Sequence, residues 1–214
     1  MSTFRLADEL FLIGHDAYTG RTAVQSDVFD TGLAGAVLAE LLLDRRISCA
    51  DGRVGVADPR AWGEPVSDAA LLELRRRGPG YVMRAWVEHL RPTARDSVGR
   101  RLADVGVVRR EEVRGLLARR TRVRYPGVDP TTCTLPQVRL KYLLERPGSI
   151  HPYMATLAAL VLATGLDHQL AVTMSRQQVR AQLAEITDRL PAELRALIGG
   201  VRTAVAAIAL TVRR

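Results

Sequence analysis

The spacing of apolar residues along the chain predicts a mainly helical protein. Leu6, Leu10 and Ile13 recur at helical intervals, which predicts a first helix that ends near Gly14. A longer apolar stretch predicts the strongest helix of the chain, over about 26–45, with a small polar or acidic residue at its start. Glycine and alanine line one side of this second helix, so a neighbouring helix can approach it closely.

Further helices are predicted on both sides of a loop rich in proline and glycine. In the N-terminal half, one helix is expected from Ser67, which would cap it, to Gly78, and the next is expected to stop at Pro92. A basic amphipathic helix should follow. After the loop, the chain is predicted to be helical from Pro136 onward, and segment 151–166 is apolar nearly all round, which is typical of a central helix.

Two short β-hairpins are predicted between these helices. The first turns at Asp51-Gly52, a dipeptide that favours a tight hairpin turn. The second, over 105–126, combines an apolar strand, the adjacent leucines Leu116 and Leu117, and a strand rich in arginine. No internal repeat or domain boundary is visible, so we expect residues 1–214 to form a single domain.

The basic residues are concentrated in one part of the chain. The net charge is +8, and all but one of the 31 basic residues are arginine. Segment 91–124 holds eleven arginines and four acidic residues, so about one sixth of the chain carries a charge of +7. Such a patch attracts phosphate, either of a nucleic acid or of lipid headgroups.

Cysteine usage and hydropathy indicate a cytoplasmic protein that does not cross a membrane. Cys49 and Cys133 are isolated, which fits a reducing compartment. Acidic residues flank the apolar run at the N-terminus, unlike in a signal peptide. The longest apolar run, 154–166, has 13 residues, fewer than the roughly 20 that a membrane-spanning helix needs. The chain can still lie on a membrane surface.

No motif for catalysis or for a cofactor stands out. The four histidines show no metal-ligand spacing, and surface or helix-end roles are predicted for them. Nucleophile elbow, phosphate-binding loop and dinucleotide fingerprint are all missing from the sequence. Glu111 and Glu112 point to opposite faces of a strand, so they do not form an acid/base pair. The sequence therefore predicts a binding protein without metal or cofactor, unless an active site is assembled from scattered residues.

Two classes of binding protein fit the basic segment. Residues 93–126 could form a winged-helix element, with arginines of the wing on DNA phosphates. That helix, however, carries Gly99 in its middle and has no Asn or Gln to read bases. Alternatively, the arginines bind anionic lipid headgroups while Leu116 and Leu117 enter the membrane. A third reading folds these two leucines back onto the protein core.

The order of the elements resembles the Golgi phosphoprotein 3 family. The segments that carry the resemblance are, in chain order, LADELFLIGHDAYTGR, GLAGAVLAELLLDRRI, GEPVSDAALLELRR, AWVEHL, GRRLADVGVVRREE, GLLARRTRVRYP and RTAVAAIALTVRR. They run from roughly Leu6 to Val212, and the chain is identified as a prokaryotic member. The resemblance implies a mainly α fold, a central helical bundle surrounded by amphipathic helices, with a projecting basic and hydrophobic β-hairpin. Eukaryotic members bind phosphatidylinositol 4-phosphate at the Golgi membrane and act as adaptors that retain glycosyltransferases.

The resemblance also implies a headgroup pocket, which this chain matches in part. The family uses a tryptophan, an arginine in the "GL-G" helix and two arginines spaced three apart before the hairpin. Here Gln25 stands at the tryptophan position and Ala34 at the helix arginine. Arg95 matches one of the paired arginines, while Pro92 stands at the other, with Arg91 beside it. This pattern favours anionic membranes in general over one particular headgroup.

The sequence thus predicts a non-enzymatic, peripheral membrane protein on the cytoplasmic face. Its partners would be anionic phospholipids, a client protein and a second copy through the hairpin. A nucleic-acid partner is disfavoured, but a winged-helix protein and an oligomerising adaptor without lipid binding remain the alternatives. The predicted headgroup-binding residues are Gln25, Arg91, Arg95, Arg100 and Arg101, and the predicted membrane hairpin comprises Val113, Leu116, Leu117, Arg119 and Arg120.

Overall fold

The computed structural model describes residues 4–114, 121–145, 148 and 150–212. These residues form the helices α1 (Leu6–Gly14), α2 (Ser26–Leu43), α3 (Pro65–Arg77), α4 (Met83–Asp104), α5 (Pro130–Glu145), α6 (Pro152–Ala163), α7 (Arg176–Asp188) and α8 (Ala192–Val212). The antiparallel pairs are β1 (Ile47–Ala50) with β2 (Arg53–Val56) and β3 (Glu111–Arg114) with β4 (Thr121–Arg124). The mainly α fold with small hairpins is confirmed.

Helix α2 is the central element of the bundle, because α1, α3, α4, α6 and α8 all pack against it. Its small residues make this possible. A Cβ atom added at Gly32 would lie 2.3 Å from Cγ2 of Thr164, and one at Gly35 would lie 2.5 Å from Cγ2 of Val201. The predicted close approach of neighbouring helices along the glycine and alanine side of α2 is confirmed.

The contact at Gly35 gives a test of this packing. In Gly35→Ala, the new Cβ would overlap a stiff β-branched side chain on α8, and overpacking of this kind costs about 1–3 kcal/mol. Gly199 also lies in a helix, but nothing lies within 4 Å of its added Cβ. Gly199→Ala should therefore raise the free energy of unfolding by up to about 1 kcal/mol through helix propensity, whereas Gly35→Ala should lower it. Urea unfolding measures both, and equal effects would contradict the packing.

Helices α6 and α8 complete the core. Residues 155–161 of α6 are all buried, as the apolar pattern predicted. Within α8, the segment Ala192–Thr211 is long and apolar enough to cross a membrane by length and composition, the one such helix in the described ranges. Arg195 and Arg202 interrupt its apolar residues, so it is not among the uninterrupted apolar runs of the sequence. One third of that segment is buried, and its core-facing side includes Leu197 and Val201, so α8 is a helix of the bundle.

Two prolines lie inside helices, although the sequence pattern predicted a helix end at Pro92 and a helix start at Pro136. Pro92 lies inside α4, so the two predicted helices form one. Proline removes one helical hydrogen bond, but Val87 before it and Val98 after it are both fully buried, and this burial keeps the helix continuous. Pro136 likewise lies inside α5, which begins earlier because Asp129 accepts hydrogen bonds from the first backbone N–H groups.

Helix α3 also starts before its predicted cap. Pro65 occupies the first helical position, where its missing N–H costs nothing, and Ser67 is the third residue of the helix. The Ser67 hydroxyl is buried and donates to Oε2 of Glu40 at 2.6 Å. Gly78 follows the last residue with φ of +78°, so the predicted glycine end of α3 is confirmed. Ser67 therefore holds α3 against α2 and does not cap the helix.

Candidate functional site

The N-terminal end of α2 presents polar groups to solvent. Gln25 is exposed in the N-cap position, and its side chain makes no capping hydrogen bond. The next side chain, Ser26, accepts a hydrogen bond from Nη1 of Arg95 at 3.1 Å. The first backbone N–H groups of a helix carry partial positive charge, which favours a bound anion. Asp27 in the same turn offsets part of that charge.

Two predicted arginines lie beside this helix end. Arg91 and Arg95 are one helical turn apart on α4 and share one of its faces. Nε of Arg95 lies 3.1 Å from Oδ1 of Asp30, and the Arg95 side chain is one-third exposed. Arg91 has no ion pair with a described residue, although it acts on Asp30 through its charge. The structure thus brings Gln25, Arg91 and Arg95 together around the first turns of α2.

Asp30 is the acidic group at the centre of this cluster. Burial raises its pKa to about 6, because an ionised carboxylate loses hydration there. The positive charges of Arg95 and Arg91 oppose that rise, and the negative charge of Asp27 adds to it. The net charge of the cluster therefore increases as the pH falls through 6.

The other two predicted headgroup residues lie on different sides of α4. Arg100 and Arg101 follow Arg95 by five and six residues, so they point away from its face. Arg100 is exposed and pairs with Asp96, with Nη2 and Oδ2 2.6 Å apart. Arg101 is only 18% exposed and contacts the carboxylates of Asp8 and Glu64. A single flat face of four arginines is not formed.

Arg101 instead belongs to an internal network that the sequence did not reveal. Asp8, Glu9 and Glu40 are buried charged residues near the start of α1 and the end of α2. Burial lowers the pKa of Arg101 to about 10. A buried carboxylate is costly without a cation, so Arg101 stabilises the fold and we leave it out of the proposed binding surface.

The second hairpin lies within the predicted 105–126, but its first strand is the charged segment Glu111–Arg114 and not the apolar residues just after α4. Val113 is half-buried and lies opposite Arg122, while Glu111 lies opposite Arg124 on the same face of the pair. Glu111 and Glu112 form exposed ion pairs with Arg109 and Arg110. Arg122 and Arg124 have no ion pair with a described residue. The predicted residues Leu116, Leu117, Arg119 and Arg120 lie in 115–120, outside the described residues.

Tyr125 anchors the hairpin to the bundle, a role the sequence analysis missed. It follows β4 directly, is 3% exposed, and donates from Oη to Oδ1 of Asp96 at 2.9 Å. Burial raises its pKa to about 12. Its ring packs against Phe11, with centroids 5.4 Å apart, and against Gly99, where an added Cβ would lie 2.5 Å from the ring. The sequence signal for this contact was Gly99, which is unusual in the middle of a helix and argued against a DNA-recognition helix.

The hairpin anchor and the arginine cluster adjoin each other. His15 follows the last residue of α1, and its ring stacks on Phe11 with centroids 4.0 Å apart and lies edge-on to Tyr125 at 6.1 Å. Burial lowers the pKa of His15 to about 4, and the positive charge of Arg95 adds to this shift. One end of the bundle therefore holds both the start of α2 with its arginines and the base of the hairpin.

The histidines of the described residues include two at helix ends. His15 and His151 flank the ends of α1 and α6, in the helix-end roles that were predicted. Across the described ranges, no group of three or more His, Cys, Asp or Glu residues could hold a metal ion.

Comparison with known proteins bears on the whole chain. The family model for Golgi phosphoprotein 3 (GPP34) matches residues 6–208. No curated protein matches the sequence. The matched range begins at the first residue of α1 and ends in the last turns of α8, so it includes the helical bundle, both hairpins and the polar end described above. This chain belongs to the Golgi phosphoprotein 3 family.

Proposed function

We propose that this protein is a non-enzymatic, peripheral membrane protein that binds anionic phospholipid headgroups on the cytoplasmic face. The observation that carries the proposal is the gathering of Gln25, Arg91 and Arg95 at the start of α2, beside the base of a basic hairpin. Headgroup phosphates would bind at this cluster. The hairpin would add its arginines and insert Leu116 and Leu117.

The combination of charge and insertion suits reversible attachment. An arginine near an anionic surface contributes about 1 kcal/mol, and the transfer of a leucine out of water contributes roughly 2 kcal/mol. Either contribution by itself gives marginal binding, whereas both together hold a protein at the membrane. The exposed ion pairs at the hairpin base are weak in water and leave their arginines able to approach lipid phosphates.

We propose recognition of anionic lipids in general, with phosphoinositide-type headgroups among them. Of the four family positions that bind phosphatidylinositol 4-phosphate, only Arg95 carries the expected residue, and Arg91 stands next to another. Gln25 supplies an amide in place of an indole, so it can donate to a phosphate but cannot pack an aromatic face against the headgroup. An adaptor role toward a client protein, and self-association through the hairpin, complete the proposal.

The structure disfavours a winged-helix reading of the same segment. The helix that would enter the major groove is the second half of α4, and its residues Ala94, Val98 and Leu102 are buried in the bundle. A recognition helix has to present its side chains to base edges. α4 presents mainly arginines and acids on its open side, which suits phosphate contact without base readout.

Co-sedimentation with vesicles tests the proposal. Vesicles of phosphatidylcholine alone are compared with vesicles that also contain phosphatidylserine, with duplex DNA as a competitor. We expect pelleting only with the anionic vesicles, reduced by salt and unaffected by DNA. Absence of pelleting together with tight, salt-sensitive binding of DNA would overturn the proposal.

Asp30 should make this binding depend on pH. Because its pKa lies at about 6, protonation on going from pH 7 to pH 5 removes one negative charge beside Arg95. Binding to anionic vesicles should strengthen by roughly fivefold, as expected for about 1 kcal/mol per charge. Asp30→Asn should bind at pH 7 as wild type does at pH 5 and should lose the pH dependence. A variant that keeps the full dependence would assign it to another group.

A further inference from the structure

A short turn between α1 and α2 is held by its own hydrogen bonds. His15 and Thr22 form a β-bridge, and the backbone N–H of Asp16 donates to the carbonyl of Arg21 at 2.9 Å. Oδ1 of Asp16 accepts hydrogen bonds from the backbone N–H groups of Tyr18 and Thr19, at 3.2 and 2.7 Å. These bonds hold the pKa of Asp16 below its usual range. We call residues 15–22 the Tyr18 turn.

The Tyr18 turn is joined directly to the base of the second hairpin. The backbone N–H of Gly127 donates to the carbonyl of Ala17 at 2.8 Å, and that of Tyr125 donates to Gly20 at 3.3 Å. A Cβ added at Gly20 would lie 2.4 Å from the backbone nitrogen of Pro126, and its φ is +63°. The turn and the hairpin base are therefore one packed unit, in which only glycine fits at position 20.

This fixed turn presents an aromatic ring to solvent. Tyr18 is 78% exposed, more than any other large hydrophobic residue in the described part of the chain. Arg21 in the same turn is exposed, and Val128, which follows the hairpin base, is 52% exposed. A tyrosine and an arginine together match the chemistry of a membrane interface, where the ring sits at headgroup level and the cation meets phosphate.

We infer that the Tyr18 turn is a second membrane-contacting element beside the hairpin. Tyr18 would enter the boundary between headgroups and acyl chains, and Arg21 would bind a lipid phosphate. This inference rests on the proposed membrane function. It adds to that function a contact outside the basic segment and outside the hairpin, held at a fixed position relative to both.

Vesicle binding by Tyr18→Ser tests the inference. With vesicles of equal parts phosphatidylcholine and phosphatidylserine, we expect binding about threefold to tenfold weaker than wild type. The reason is that the variant has no tyrosine ring to insert partly into the membrane. Tyr18→Phe keeps most of the ring and should bind within about twofold of wild type. Asp16 bonds the backbone at Tyr18, so the turn persists in both variants.

Tyr81→Ser is the control, since Tyr81 is also an exposed tyrosine, at 47% against 78% for Tyr18, but lies beside β2 and not at the hairpin base. It should bind as wild type. If Tyr18→Ser and Tyr81→Ser both bind as wild type, the Tyr18 turn is not a membrane contact, while the proposed function stands. If wild type itself does not bind anionic vesicles, the proposed function fails first.

A second variant locates the residue directly. Tyr18→Trp places a fluorescent reporter at the turn, and vesicles with brominated acyl chains quench a tryptophan at the headgroup–acyl boundary. We expect quenching beyond that of wild type, whose own tryptophans, Trp62 and Trp86, provide the background. If Tyr18→Trp binds the vesicles but shows no added quenching, the inference is overturned. Tyr18 would then be free to contact a protein partner instead of the membrane.

Discussion

Replacement of Arg91 and Arg122 by glutamate is expected to abolish binding to anionic vesicles. Neither arginine has an ion pair with a described residue, so the charge reversal breaks no such contact of the fold. The double change removes two attractive charges and adds two repulsive ones. At about 1 kcal/mol per charge this amounts to about 4 kcal/mol, or roughly a thousandfold loss of affinity.

A control with the same net charge separates local from overall electrostatics. Arg75 and Arg77 lie in the last turn of α3, outside the basic segment, and both are exposed. Arg75→Glu with Arg77→Glu should weaken binding far less, because charges more than about 10 Å from the membrane are screened by salt. Equal losses in the two double variants would show that net charge alone attracts the protein, and the proposed surface would have to be abandoned.

Leu117→Asp is expected to remove stable attachment while the helical fold persists. The change replaces an apolar group proposed to enter the membrane with a charge that resists leaving water. The lost transfer energy of about 2 kcal/mol and the cost of the carboxylate together predict at least a hundredfold weaker binding. Because Leu117 lies outside the described residues, this prediction depends on the sequence pattern of the hairpin. Vesicle flotation measures it.

Circular dichroism and thermal unfolding decide how to read that result. A variant that loses binding but keeps the wild-type melting midpoint supports an inserted tip. A large drop in the midpoint would instead assign the leucine to the protein core, the reading in which the hairpin folds back. Leu72→Asp provides the control, since Leu72 is 42% exposed on α3, outside the proposed surface. It should bind vesicles as wild type.

Much of the fold follows from local patterns, and the exceptions have tertiary causes. Apolar periodicity placed α1 and α2 within two residues of their observed ends, and Asp51-Gly52 located the first hairpin. The positions of the two prolines were predicted wrongly, because the rule that proline marks a helix boundary considers the local sequence and not burial in the core. Pro92 remains inside α4 because burial on both sides of it outweighs one missing hydrogen bond.

The candidate site was predictable in part. The helix end predicted at Pro92 separated Arg91 from Arg95, whereas the continuous α4 places them one turn apart on one face, beside Gln25. Arg100 and Arg101 were grouped with them by sequence proximity alone. The buried carboxylates that bind Arg101 come from α1 and from the residue before α3, which no local pattern connects to α4.

Contacts between distant segments could not be predicted from the sequence. Tyr125 and Gly99 meet only because the hairpin returns to α4, and the Tyr18 turn meets the hairpin base through backbone groups that carry no side-chain signal. A glycine in mid-helix indicates a close neighbour, but it does not identify that neighbour. Three-dimensional packing was needed to connect these residues to the site.

The buried attachment of Tyr125 has a mechanical consequence. A hairpin joined to the bundle by a flexible linker would reorient freely, and a force on its tip would only extend that linker. In this protein the hairpin base is held by packing of the Tyr125 ring against Phe11 and Gly99. The hydrogen bond from the Tyr125 hydroxyl to Asp96 holds it further. Tension on a membrane-bound tip would thus pass straight into the core between α1 and α4. The hairpin would work as a stiff lever, and the load needed to pull it loose would be set by unpacking of the core.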